Sequence, residues 1–149
     1  MLYLDTSAVL KLYLQEPGSA EFREDVGRSQ GRLFTSRVTY AETIAGLARV
    51  HREHRITRHT YRRKRAQFES DWMALQIVEV TQQVLRPCPA LIEKYALRGF
   101  DAIHLGSAIW LEVAAFACFD VRLRSAAQGE GLALIPAGHG PNESSRALQ

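Results

Sequence analysis

A chain of 149 residues with 46% hydrophobic and 23% charged residues has the size and make-up of one ordinary folded domain. It contains no apolar run near the roughly 18 residues that cross a bilayer, and Met1-Leu2-Tyr3-Leu4-Asp5 lacks the basic and long apolar segments of a secretion signal. Two cysteines, Cys88 and Cys118, form neither a metal-type spacing nor a disulfide framework, so a cytoplasmic location is expected.

Leu2-Tyr3-Leu4 reads as a buried strand running into Asp5-Thr6-Ser7, where Thr6 or Ser7 can cap a helix. An apolar helix from Ala8 to Leu14 stops at Pro17-Gly18, and a second short helix runs from Ser19 to Val26. Leu33 to Ser36 is the second strand. Thr39, or Ser36 before it, begins a long helix carrying Ile44, Leu47, Ala48 and Val50 at helical spacing. Thr57 caps a partner helix reaching through Phe68 to about Ala74. The two form a basic hairpin: Arg49, Arg52, Arg55, Arg58, Arg62, Arg63, Lys64 and Arg65 are opposed in that stretch only by Glu53. Against a net charge of only +3, such a block suits either a polyanionic partner or a solvated helical face.

Ile77 to Val80 is the third strand. Pro87 and Pro89 punctuate the start of another helix, and Gly99 stands where a left-handed glycine would end it. Asp101 then opens a helix from Ala102 to about Leu111. Val113 to Phe119 is the fourth strand, broken at Asp120; Arg122 to Ala127 is a short helix and Leu132 to Ile135 a fifth strand. Residues 1–136 are expected to form one domain. Residues 137–149, rich in Gly, Pro and Ser without periodicity, are expected to form a disordered tail. Strands alternating with helices, continuously apolar strands and missing hairpin turns predict an α/β fold. It is a three-layer α/β/α sandwich around a mostly parallel sheet of about five strands.

Asp5 ends the first strand, Asp120 ends the fourth, Asp101 opens a helix and Glu42 lies one turn into another. All can face the crevice beyond the strand C-termini, where open parallel sheets bind ligands. Two carboxylates about 5 Å apart repel by roughly 3 kcal/mol at an effective dielectric near 20. Convergence therefore calls for a cation or for shared protons. Oxygen ligation without histidine or thiolate suits Mg²⁺ or Mn²⁺, whose matching chemistry is phosphodiester hydrolysis. Taken singly, each acid has a plainer role: Asp5 and Asp101 as helix caps, Glu42 as an exposed helical residue, Asp120 as a turn former.

The motifs around these acids resemble the PIN-domain family, most closely the VapC-type toxins. Leu2-Tyr3-Leu4-Asp5-Thr6-Ser7-Ala8 is similar to the first motif and Ser36-Arg37-Val38-Thr39-Tyr40-Ala41-Glu42 to the second. Leu97-Arg98-Gly99-Phe100-Asp101-Ala102-Ile103-His104-Leu105-Gly106-Ser107-Ala108 is similar to the third, and Cys118-Phe119-Asp120-Val121-Arg122-Leu123 to the fourth. The resemblance implies a Mg²⁺- or Mn²⁺-dependent endoribonuclease in which Asp5, Glu42, Asp101 and Asp120 hold metal and activate water. It also implies a homodimer and a cognate VapB-like antitoxin whose C-terminal segment enters the site. Cys118 departs from the pattern, standing where a hydroxyl residue is usual; a thiol is the poorer hydrogen-bond partner.

Ser7 and Arg98 are candidate substrate contacts. His51 and His54 read as surface residues without a third ligand, and His104 as a packed or supporting histidine rather than a ligand. A haloacid-dehalogenase-like phosphatase would need a second acid where Ser7 stands. An RNA-binding or scaffold module that kept the fold would gain nothing from an acidic pocket.

Overall fold

The computed structural model describes residues 1–29 and 31–137. The chain runs β1 (Leu2–Leu4), α1 (Thr6–Tyr13), α2 (Ser19–Arg28), β2 (Leu33–Ser36), α3 (Thr39–Arg52), α4 (Arg58–Asp71), β3 (Gln76–Val78) and α5 (Gln82–Leu85). It continues through α6 (Cys88–Tyr95), α7 (Gly99–Trp110), β4 (Ala115–Ala117), α8 (Val121–Gly129) and β5 (Leu134–Ile135). A 3₁₀ turn, Trp72–Ala74, extends α4 to the expected end.

The five strands form one sheet in the order β3-β2-β1-β4-β5, and every neighbouring pair is parallel. Parallel pairing cannot be closed by a hairpin, so helices carry each crossover and cover both faces. The two-residue alternation of a strand divides the core accordingly. Tyr3 points into a cluster with Val84, Leu105, Phe116 and Leu123, whereas Leu2 and Leu4 point into one with Val9, Phe22, Leu47 and Phe68. Tyr3 stacks on Phe116 across the β1–β4 pair, with ring centroids 5.5 Å apart. The sandwich expected from the sequence is the observed fold.

Local boundaries differ in instructive places. The helix before Gly99 ends earlier, at Ala96, which itself takes the left-handed conformation (φ 52°), while Gly99 is the first residue of α7. An alanine there bears a strain of about 1–2 kcal/mol; Leu97, buried immediately after it, anchors the turn in the core. Asp101 is consequently the third residue of α7, not its cap, and no side chain caps that helix. The cap of α1 is Asp5 rather than Thr6 or Ser7. The third, fourth and fifth strands are shorter than their apolar runs, and the four-residue α5 has no counterpart in the sequence reading. Thr57 caps α4 as expected, its side chain accepting from the Thr60 N–H. Residues 138–149, nearly all of the expected tail, lie outside the described residues.

Candidate active site

β1 lies at the centre of the sheet, and the chain departs from it toward β2 on one side and β4 on the other, opening a crevice beyond its C-terminal end. Asp5 stands at that end, 3% exposed. Its Oδ1 accepts from the Ala8 N–H at 2.8 Å, and the Ser7 hydroxyl donates to the same carboxylate at 2.7 Å. Burial pushes the Asp5 carboxyl above the ordinary aspartate range, although His104, Ser7, Cys118 and the Ala8 N–H all pull it down. Desolvation wins, and among the described residues no lysine or arginine pairs with this carboxylate to offset it.

Glu42, in the first turn of α3, is the opposite case. Its Oε2 accepts from the Thr6 hydroxyl at 2.5 Å and from His104 Nε2 at 2.9 Å. Burial raises this carboxyl, but those two bonds, with the charges of His104 and Arg98, outweigh it and hold Glu42 below the usual glutamate range. His104 is itself buried, 2% exposed, with Nδ1 3.0 Å from the Tyr3 hydroxyl. Nε2 also lies 3.1 Å from the Thr6 hydroxyl, so both ring nitrogens face hydrogen-bond partners. A hydrogen-bonded line thus runs from the core to a pocket carboxylate: Tyr3, His104, Glu42.

Asp101 and Asp120 share one guanidinium. Arg98 donates from Nε to Asp101 at 2.8 Å, and its Nη2 lies 3.8 Å from Asp120. Asp120 also caps α8, accepting from the Leu123 N–H at 2.9 Å. Asp5, Glu42, Asp101 and Asp120 all line one pocket of about 460 Å³, together with Ser7 and Arg98. Capping therefore does not compete with site membership: Asp5 and Asp120 do both.

Ser7, expected to face substrate, spends its hydroxyl hydrogen on Asp5 and accepts from the Phe119 N–H at 2.8 Å, tying β1 to the segment after β4. Cys118 is fully buried, its Sγ 3.6 Å from the Asp120 carbonyl and 3.9 Å from Ser7 Oγ. Burial first, and the Asp5 charge second, keep it a thiol. The sequence reading gave His104 a supporting place but missed Tyr3 as its partner. It also left Arg49, Arg52 and Phe100 out of the pocket they line; the i, i+3, i+7 and i+10 spacing of Glu42, Ala45, Arg49 and Arg52 was the available signal.

The donor chemistry is selective. Both His104 nitrogens are engaged and Cys118 is protonated, leaving carboxylate oxygens as the available ligands. Among the described residues, no three such side chains lie close enough to ligate one ion directly. That is compatible with a hard dication held by one or two carboxylates and its own waters.

A family model described as PIN domain matches residues 2–129. The chain belongs to the PIN-domain family. It is 32% identical over 139 residues to Ribonuclease VapC45 of Mycobacterium tuberculosis, an alignment covering 92% of this chain and 96% of that one, which places this PIN domain with the VapC type. Its fold superposes on the Mycobacterium tuberculosis toxin VapC20, described as cleaving the sarcin-ricin loop, with a TM-score of 0.66 at 15% identity, covering 85% and 95% of the two chains. It likewise matches a chain of a toxin–antitoxin complex from Klebsiella pneumoniae with a TM-score of 0.62 at 17% identity, covering 80% and 87%. In this PIN domain, no helix among the described residues is long and apolar enough to cross a membrane.

Proposed function

We propose that this PIN domain is a Mg²⁺- or Mn²⁺-dependent endoribonuclease, the toxin of a VapBC-type pair, acting in the cytoplasm as a homodimer and restrained by a VapB-like antitoxin. The reading is carried by one observation: four carboxylates from separate segments line one pocket whose histidine, His104, has both ring nitrogens already hydrogen-bonded. The ribonuclease name of VapC45 supports RNA as the substrate, and the toxin–antitoxin neighbour supports the partner.

Of Asp5, Glu42, Asp101 and Asp120, one or two would hold the ion directly and the others through its waters. When bound, such an ion brings positive charge to the scissile phosphate and favours ionisation of the attacking water. In hydrolysis the water oxygen bonds to phosphorus, the P–O bond to the leaving ribose breaks, and that oxygen takes up a proton. Glu42 is built to receive the water's proton at Oε1, because its Oε2 already carries both hydrogen bonds and it is held ionised. Ser7 fixes the rotamer of Asp5, and Arg98 offsets the repulsion between Asp101 and Asp120. Substrate contact by Arg98 would follow once an ion relieves it of Asp101.

The test is RNA cleavage by purified protein with Mg²⁺ or Mn²⁺, abolished by chelator and by Asp101→Asn. Either ion should also stabilise the fold by about 2.7 kcal/mol at a concentration 100 times Kd, and so raise the melting temperature. Cleavage persisting in chelator would refute the metal assignment. Tight RNA binding with no cleavage and no metal-induced stabilisation would favour the scaffold reading instead.

His104→Ala should slow cleavage by roughly 10- to 100-fold, the range for groups that orient ligands from behind. His104→Gln, whose amide N–H can reach for Glu42, should recover part of the loss. Equal rates for the two variants at matched melting temperatures would show that His104 only packs.

A further inference from the structure

The α3 wall of the acidic pocket continues past Glu42. Ala45, Gly46, Arg49 and Arg52 follow it along one helix face into the same pocket. At ~1.5 Å rise per residue, Arg49 lies about 10 Å and Arg52 about 15 Å beyond Glu42. Neither arginine forms an ion pair among the described residues. The nearby acids are engaged elsewhere: Glu53 and Glu16 both pair with Arg55, at 3.5 Å and 3.1 Å. Two exposed guanidiniums thus flank a carboxylate pocket that would by itself repel a polyanion.

The α7 wall carries the second half of the pattern. Phe100 is 53% exposed, although it is the second residue of a helix that is buried at Ala102 and from His104 to Ala108. Its ring lines the acidic pocket and the adjoining depression formed by Arg98, Gly99 and Glu42. An aromatic ring left exposed beside phosphate-binding cations provides a stacking platform for a nucleobase. Only an unpaired base can reach such a platform, since bases inside a duplex are already stacked.

We propose that Arg49, Arg52 and Phe100 form the strand-binding rim of this pocket. The arginines take phosphates on the flank of the RNA that leaves over α3, and the Phe100 ring stacks one unpaired base. The proposal rests on the ribonuclease reading for the identity of the polyanion, but it concerns binding and can be tested without turnover. The rim contributes affinity through charge and stacking, neither of which needs a particular base sequence.

The test uses the full-length protein in chelator. Binding of a fluorescent single-stranded RNA of about a dozen nucleotides, and of the same strand in a duplex, is followed by anisotropy over a salt series. The double variant Arg49→Gln, Arg52→Gln should flatten the slope of log K against log salt by roughly 1.4, at about 0.7 per single-strand phosphate. Phe100→Ala should weaken single-strand binding roughly 5- to 150-fold without changing the slope and leave the duplex unaffected, while Phe100→Tyr restores it. An unchanged slope in the arginine variant, equal losses on single strand and duplex for Phe100→Ala, or no binding by the unaltered protein would each overturn the proposal. These outcomes are separable from the enzymatic reading. A protein that cleaves RNA yet keeps its salt slope in the arginine variant sinks only the rim, and one that binds as described yet never cleaves sinks only the catalysis.

Discussion

Asp5→Asn is expected to reduce RNA cleavage by about 10²- to 10³-fold or more, the scale for removing a group aimed at charge in the transition state. In metal-free buffer at neutral pH the same substitution should raise the melting temperature. The folded protein holds the Asp5 carboxyl above its ordinary range, chiefly because the group is buried. A raised carboxyl pKa means that folding favours the protonated form. Its stabilising contribution is therefore complete below the unfolded-state value, near 3.9, and is lost as pH rises through the higher folded value. At neutral pH the ionised carboxylate is a liability that asparagine does not carry, and asparagine caps a helix about as well as aspartate. The gain in melting temperature should shrink toward zero as pH falls below the ordinary aspartate range. Adding Mn²⁺ should reverse the order of stability, since the variant loses a ligand. A variant that melts lower than the original chain at neutral pH without metal would contradict this account.

Gly106→Ala is expected to destabilise the fold by roughly 1–3 kcal/mol, the range for overpacking. On an open helix the change would be favourable by about 1 kcal/mol, because alanine is the better helix former. Here the added Cβ would meet the Val84 backbone carbonyl at 2.6 Å and Cys88 Sγ at 3.3 Å, where α5 crosses α7. A backbone oxygen in a packed helix cannot rotate away, so the helices must separate. A domain of this size should melt about 2–4 °C lower per kcal/mol lost. Because α7 carries both Asp101 and His104, cleavage should fall with stability. Gly99→Ala is the control: nothing lies within 4 Å of its virtual Cβ, and its melting temperature should be unchanged or slightly higher. Identical thermal curves for Gly106→Ala and the original chain would mean that the contact yields without cost.

The fold was legible because each layer left a local trace. Leu2-Tyr3-Leu4 is apolar on both faces, as a central strand between two helical layers must be. The breaks at Pro17-Gly18 and Pro136, and the Thr57 cap, mark where elements stop and start. Gly99 misled because a glycine after an apolar helix is the usual left-handed stop; here buried Leu97 fixes the turn, and Ala96, three residues earlier, bears the strain. The tertiary constraint outweighed the local preference.

That the four acids share one pocket was legible because strand ends and helix starts converge geometrically in a parallel sheet. Their support was not. Tyr3 looks like any core aromatic in sequence, and its bond to His104 joins residues 101 positions apart. Arg49 and Arg52 were visible as charge, and their helical spacing from Glu42 puts them on its face, but the sequence does not say that this face lines the pocket. That depends on how α3 is rotated against α1, and close packing of Gly46 on Leu10 sets it.

The order of the strands bears on biosynthesis. β4 is fourth of the five strands along the chain yet pairs with β1, bringing Asp120 and the backbone N–H of Phe119 that donates to Ser7. A growing polypeptide that has not yet delivered this segment lacks one of the four acids and leaves the flank of its first strand open. On the proposed reading of these acids, the set is complete only once the segment through Asp120 has left the ribosome and joined the sheet.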